Sequence, residues 1–153
     1  MRYNFVYEYE KFMYEALKEA YKAYEKNEVP IGAVVVQENK IIGRGYNQVE
    51  NLQDSTAHAE MIAITSAASY LKNWRLNNTI LYTTVEPCLM CLGALFLSRI
   101  PILVYGTNNE KKGTYEVDYH IKSASLKIIK GILKEDSQKL LKQFFLKQRK
   151  KEK

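Results

Sequence analysis

Both cysteines of this chain, Cys88 and Cys91, fall in one five-residue run, Pro87-Cys88-Leu89-Met90-Cys91, and one of its two histidines stands upstream in His58-Ala59-Glu60. A fold that uses these residues together must bring two segments 30 positions apart to one point. The chemistry rewards that closure. An imidazole and two thiolates supply three zinc ligands and leave a fourth tetrahedral position open, as a catalytic rather than a structural site requires. Glu60 is then surplus to coordination and free to move a proton between an activated water and a leaving group. A structural site would want a fourth Cys or His, and the remaining histidine, His120, lies far downstream among polar residues. Taken singly, Cys-x-x-Cys also marks redox sites and half of a structural zinc knuckle, and His-x-Glu is common on helix surfaces.

The pattern along the chain fits alternating helices and strands. Apolar residues at Phe5, Tyr9, Phe12, Met13, Ala16, Leu17, Ala20, Tyr21 and Tyr24 carry the 3.6-residue rhythm of an amphipathic helix, which Asn27 and Pro30 end. The β-branched run 31–36 and the segment 41–46, separated by Glu38-Asn39-Lys40, predict an antiparallel hairpin. A polar loop, Gln48 to Thr56, leads to a helix over 57–70. A third strand spans 79–85, and Pro87 opens a helix running to about Ser98. On that helix Cys88 and Cys91, three apart, share one face, with the positive end of the dipole favouring thiolates. His58 and Glu60, only two apart, cannot face each other within a regular helix, so their motif belongs at a loop–helix junction. A fourth strand over 101–105, a fifth over 126–129 and a last amphipathic helix over 135–148, with Phe144 and Phe145 on its apolar side, complete an α/β layered fold with both zinc half-sites at strand-to-helix crossovers.

Length and composition agree with one domain spanning 1–153, since 153 residues with 46% hydrophobic content suffice for a real core. No apolar stretch approaches the roughly 18 residues of a membrane span. The start, Met1-Arg2-Tyr3-Asn4, lacks a secretory h-region, and two cysteines committed to a metal leave none for disulfides, which together predict a cytoplasmic protein with no membrane partner. The net charge of +6 is concentrated at the end, where Lys142, Lys147, Arg149, Lys150, Lys151 and Lys153 face only Glu152. Such a patch attracts a polyanion such as RNA, through Lys147, Arg149, Lys150 and Lys151 on the backbone phosphates, unless it is merely a solvated terminus.

Around these motifs lie Glu28-Val-Pro-Ile-Gly-Ala-Val34, Gly45-Tyr-Asn47, Thr56-Ala-His-Ala-Glu60, Asn73-Trp-Arg-Leu76, Leu81-Tyr-Thr-Thr-Val-Glu-Pro-Cys88, Met90-Cys-Leu-Gly-Ala94, Ser98-Arg-Ile100 and Phe144-Phe145 with Arg149. In this set the chain resembles, over nearly its whole length, the bacterial tRNA-specific adenosine deaminases of the cytidine-deaminase-like superfamily. The resemblance implies a three-layer α/β/α fold with a mixed five-stranded sheet, and a homodimer with one zinc per subunit. It also implies hydrolytic deamination of the wobble adenosine of a tRNA anticodon stem-loop to inosine. Carried over by motif, His58, Cys88 and Cys91 hold zinc and Glu60 shuttles protons. Asn47 helps hold the base, Val29, Pro30 and Ala33 form part of the pocket wall, and Asn109 lies near the flipped nucleotide's sugar. The chain departs from the family at Asn109, where Asp is usual, and at Ser123-Ala-Ser-Leu126, where an Asn-His pair is common. Two rival functions stand beside this one: a deaminase of guanine or another free base or nucleotide, and a catalytically silent zinc subunit that binds RNA. Glu60 argues against the second, and the basic last helix and the Asn73–Leu76 segment argue against the first.

Overall fold

A computed structural model of the chain describes residues 2–109 and 126–153. The expected elements are present with shifted ends. Helix α1 (Arg2–Glu25) leads to the hairpin of β1 (Gly32–Gln37) and β2 (Lys40–Tyr46). A short α2 (Val49–Leu52), α3 (Ala59–Leu71), β3 (Ile80–Val85), α4 (Leu89–Leu97) and β4 (Ile102–Thr107) follow. After the undescribed stretch come β5 (Lys127–Lys130) and α5 (Lys134–Lys151). The five strands form one mixed sheet in the order β2-β1-β3-β4-β5; the first two pairings are antiparallel and the last two parallel.

Alternation along each strand divides the apolar residues between two layers of helix. On one face Ala33, Val35, Leu81, Leu103 and Tyr105 pack with Ala59, Ala63, Ile64 and Ala67 of α3 and Leu92 and Leu95 of α4. On the other, Val34, Val36, Tyr82 and Val104 meet Phe12, Met13 and Ala16 of α1. Helix α5 joins that second layer through the buried Phe144, whose ring stands edge-on to Tyr24 at 6.3 Å. The result is the three-layer α/β/α arrangement.

Glycines set how close the layers come. At Gly45 a Cβ would strike the carbonyl oxygen of Ala59 and lie 2.7 Å from the Ala63 nitrogen, and Gly43 meets Ala63 and Ala67 in the same way. The first two turns of α3 therefore lie directly on the backbone of β2, a spacing that any side chain at these positions would forbid.

Several details depart from the sequence reading. Phe5 and Tyr21, assigned to the apolar stripe of α1, are exposed, while Ala23 takes a core position. The Gln48–Thr56 loop contains α2, because the buried carboxylate of Glu28 accepts hydrogen bonds from the amides of Glu50 (3.2 Å) and Asn51 (2.5 Å) and so caps that turn from across the chain. Phe145, grouped with Phe144 on the apolar side of the last helix, is 38% exposed against 5% for Phe144. Among the described residues no helix is long and apolar enough to cross a membrane. His120 and Ser123–Ser125 lie outside the described residues.

Candidate metal centre and active site

The register of the sheet brings most of the site segments to one edge. Strand β1 runs antiparallel to β3, pairing Ala33 with Thr83 and Val36 with Ile80, so the start of β1 lies beside the end of β3. Strand β2 ends at that edge, where Tyr46 pairs with Gly32. β4 runs parallel to β3 and ends there as well, with Thr107 beside Val85. Val29, Pro30, Asn47, the 86–91 turn and Asn109 all lie where these strands enter or leave.

The two zinc half-sites are the N-caps of two helices. His58, extended at φ −78 and ψ 152, caps α3, and Cys88, at φ −71 and ψ 172, caps α4. Neither side chain is spent on its own helix, for neither makes a capping hydrogen bond. Cys88 is thus not within the helix as its spacing from Cys91 suggested, and Pro87 precedes the cap rather than opening the helix. The pair still converges, because the side chains of an N-cap and the residue three positions on meet over the first turn. That turn also points its free amides and positive dipole end at the sulfurs.

The distances fit zinc. The Nδ1 of His58 lies 3.5 Å from the Sγ of Cys88 and 3.5 Å from that of Cys91. A tetrahedral centre with Zn–S near 2.3 Å and Zn–N near 2.0–2.1 Å separates nitrogen and sulfur by about 3.5 Å. All three ligand atoms lie within 4.8 Å of one another, and no other group of three or more potential ligands gathers among the described residues.

The electrostatics agree. A hydrogen bond from the Cys91 thiol, helped by His58, brings Cys88 down to about 3 against the opposing effect of burial. Donating that bond pushes Cys91 far up, and burial pushes it further. The first thiolate and burial together oppose a second one beside it. A divalent cation at the meeting point of the three atoms is what allows both sulfurs to ionise, as zinc does to its cysteine ligands.

Glu60 stands beside this cluster, buried, with Oε2 3.5 Å from the Cys91 Sγ and Oε1 accepting a hydrogen bond from the Thr83 hydroxyl at 3.2 Å. Burial raises its carboxyl above the ordinary carboxylate range. A carboxyl so placed can both accept and return a proton.

Residues 6–107 match the cytidine and deoxycytidylate deaminase zinc-binding region. The chain belongs to that family. It is 43% identical over 139 residues to a tRNA-specific adenosine deaminase of Streptococcus pyogenes, covering 88% of this chain and 81% of that one. Its identity to the Bacillus subtilis protein of the same description is 43% over 149 residues, 94% and 92% of the two chains. A structure solved in work on A-to-I editing by tRNA:A34 deaminases superposes with a TM-score of 0.80 at 38% identity, covering 86% of this chain and 99% of the other. A guanine deaminase of Bacillus subtilis also matches, at 39% identity and a TM-score of 0.62, over 65% of this chain and 64% of that one.

Asn47 is buried at the end of β2, its Nδ2 donating to the carbonyl of Val29 at 3.3 Å, which ties the two residues together. Pro30 is buried and Val29 half-buried beside them. Ala33 is fully buried in the sheet core against α3, one strand over from Thr83. Asn109 donates its amide to Oε1 of the buried Glu86 at 3.0 Å, fastening the exit of β4 to the entry of α4. The basic residues stand apart, on the last turns of α5. Lys147 lies over the Tyr24 ring at 5.1 Å, and Lys151 and Gln148 reach the side chain of Asn27, two residues before Val29. Sequence reasoning missed Thr83, Glu86 and Glu28. Only Glu86, a carboxylate inside the Val85-Glu86-Pro87-Cys88 run, carried a signal, since a charged residue there needs a buried partner.

Proposed function

We infer that this protein is a zinc-dependent hydrolase that converts the wobble adenosine of a tRNA anticodon to inosine. The observation that carries this reading is the Glu60 carboxylate held against the His58–Cys88–Cys91 cluster, in a chain so extensively similar to tRNA-specific adenosine deaminases. When bound, zinc supplies Lewis acidity that makes water a nucleophile near neutral pH. His58, Cys88 and Cys91 hold it. Glu60 takes a proton from the attacking water as oxygen bonds to C6 of adenine and passes a proton to the ring nitrogen. It then takes the remaining proton from the new C6 hydroxyl and hands it to the departing amine, so that the C6–N bond breaks, the C6 carbonyl forms and ammonia leaves. Asn47, Val29 and Pro30 form the wall that receives the base, with Ala33 supporting it from behind and Asn109 bordering the sugar. An anticodon loop is already single-stranded, which makes unstacking the target cheap.

Chain 1–153 is read as a single deaminase domain acting in the cytoplasm as a homodimer with one zinc per subunit. Lys147, Arg149, Lys150 and Lys151 contact the phosphates of the anticodon stem. The bond from Lys151 to Asn27, two residues before Val29, supports this, because it brings their helix end toward the Val29–Asn47 pair.

The test is to incubate the pure protein with an anticodon stem-loop RNA and sequence for adenosine read as guanosine. Wild type should form inosine at one position, and Glu60→Ala should keep its zinc while losing roughly 10²–10⁴ in rate. Faster turnover of free guanine or cytidine than of the RNA would transfer the chain to the free-base deaminases, and binding without inosine would make it a silent zinc subunit.

A further inference from the structure

The two oxygens of Glu60 are not equivalent. Oε2 lies on the side of the ligand cluster, 3.5 Å from the Cys91 Sγ, whereas Oε1 turns toward the sheet and meets the hydroxyl of Thr83 at 3.2 Å. Thr83 sits on β3, the central strand, between Ala33 and Tyr105 in the same row. It is fully buried, on the face covered by α3. A hydroxyl at such a position needs acceptors, and Thr83 has two within reach: Oε1 of Glu60, and the carbonyl of Val85 at 3.1 Å. It has one hydrogen to give.

We propose that Thr83 is a positioning residue for Glu60: by donating to Oε1 it fixes the carboxylate's rotation and reserves Oε2 as the oxygen that carries the shuttled proton. This rests on the reading of Glu60 as the proton carrier. The geometry explains why a hydroxyl rather than a methyl suits the position. The Thr83 O–H occupies the oxygen turned away from the ligand cluster, and the Val85 carbonyl at 3.1 Å offers the same hydrogen a second acceptor. No other side-chain donor reaches Oε1 among the described hydrogen bonds, so without the hydroxyl that oxygen loses its side-chain partner and the carboxyl can hold its proton on the wrong oxygen. The strand itself has no need of the hydroxyl: valine matches threonine in shape and suits a central strand equally well.

The experiment compares Thr83→Val, Thr83→Ser and Thr83→Ala in the full-length, zinc-loaded protein, using the anticodon stem-loop RNA. Single-turnover rate, RNA affinity, zinc content and melting temperature are measured for each. Thr83→Val should slow the chemical step about tenfold to a hundredfold, the range for a lost hydrogen bond to a charged group, with affinity and zinc unchanged. Thr83→Ser should restore most of the rate. In a Glu60→Ala background Thr83→Val should have no further effect, since its action passes through the carboxylate. A wild-type rate in Thr83→Val overturns the proposal, as does a loss that follows zinc content or one that serine does not rescue. Thr83→Ala repeats the comparison should the valine variant fold poorly. An active Glu60→Ala would instead refute the proton-carrier reading itself, so the two failures are distinguishable.

Discussion

Gly45→Ala should damage the metal centre from a strand that contributes no ligand. The added Cβ would overlap the Ala59 carbonyl oxygen and lie 2.7 Å from the Ala63 nitrogen, both backbone atoms of the helix that His58 caps. Ordinary contact begins near 3.4 Å, so α3 must retreat by roughly 0.7–1 Å, because neither atom can swing aside. Overpacking of this kind costs about 1–3 kcal/mol. In a domain of this size each kcal/mol lowers the melting temperature by roughly 2–4 °C, so a fall of about 5 °C is expected. The consequence at the site is larger. Metal–ligand distances tolerate only about 0.2 Å, and His58 adjoins Ala59, so the imidazole is carried away from Cys88 and Cys91 on the separate helix. Zinc affinity should weaken by about tenfold or more. Circular-dichroism melting and zinc titration against a chromogenic chelator read the two effects separately. Wild-type melting together with wild-type zinc affinity would show that this glycine contact does not set the position of α3.

Cys88→Ser should lose most bound zinc by metal analysis and melt at a temperature that added zinc no longer raises, since ligand binding to the native state is what produces that rise. Full zinc in this variant would mean that a further protein ligand completes the site. Phe144→Ala should cost about 3–5 kcal/mol in chemical denaturation, as for other buried phenylalanines, and the more exposed Phe145→Ala much less; equal losses would contradict the observed helix face. Removing residues 150–153 should weaken binding of cognate and non-cognate RNA alike and flatten the plot of log affinity against log salt, since phosphate contacts act by releasing counterions. If slope and affinity both persist, the phosphate-binding surface lies elsewhere.

The metal cluster was legible because its logic is local in chemistry even though its halves are 30 residues apart: both cysteines stand in one Cys-x-x-Cys run, and of the two histidines only His58 has a carboxylate two positions on. Strand and helix periods likewise placed the main elements, because burial on one face leaves a mark every two or 3.6 residues. What escaped depended on partners distant in sequence. Helix α2 is a four-residue turn that forms because Glu28 reaches its amides, and nothing in Gln48–Thr56 itself encodes that carboxylate. Thr83 stands in a strand whose pattern predicts burial and says nothing about which carboxylate the hydroxyl meets. The last helix runs to Lys151 rather than Gln148, and its closing turns are tied to Asn27 at the far end of α1. Phe144 and Phe145 are adjacent and equally apolar, so only the packing of α5 against α1 decides which is inside.

The cap on α2 turns two backbone amides into an internal gauge. The turn is far too short to persist alone, since helix nucleation is unfavourable and four residues offer almost no propagation. It lasts only while the segment entering β1 delivers Glu28 to it, and it occupies the path between Asn47 and His58. Slow hydrogen exchange at Glu50 and Asn51 would therefore report, without substrate or metal in the measurement, that the stretches bearing Asn47 and His58 are locked together. Fast exchange at those two amides in an otherwise protected protein would identify the first piece of the site to come apart.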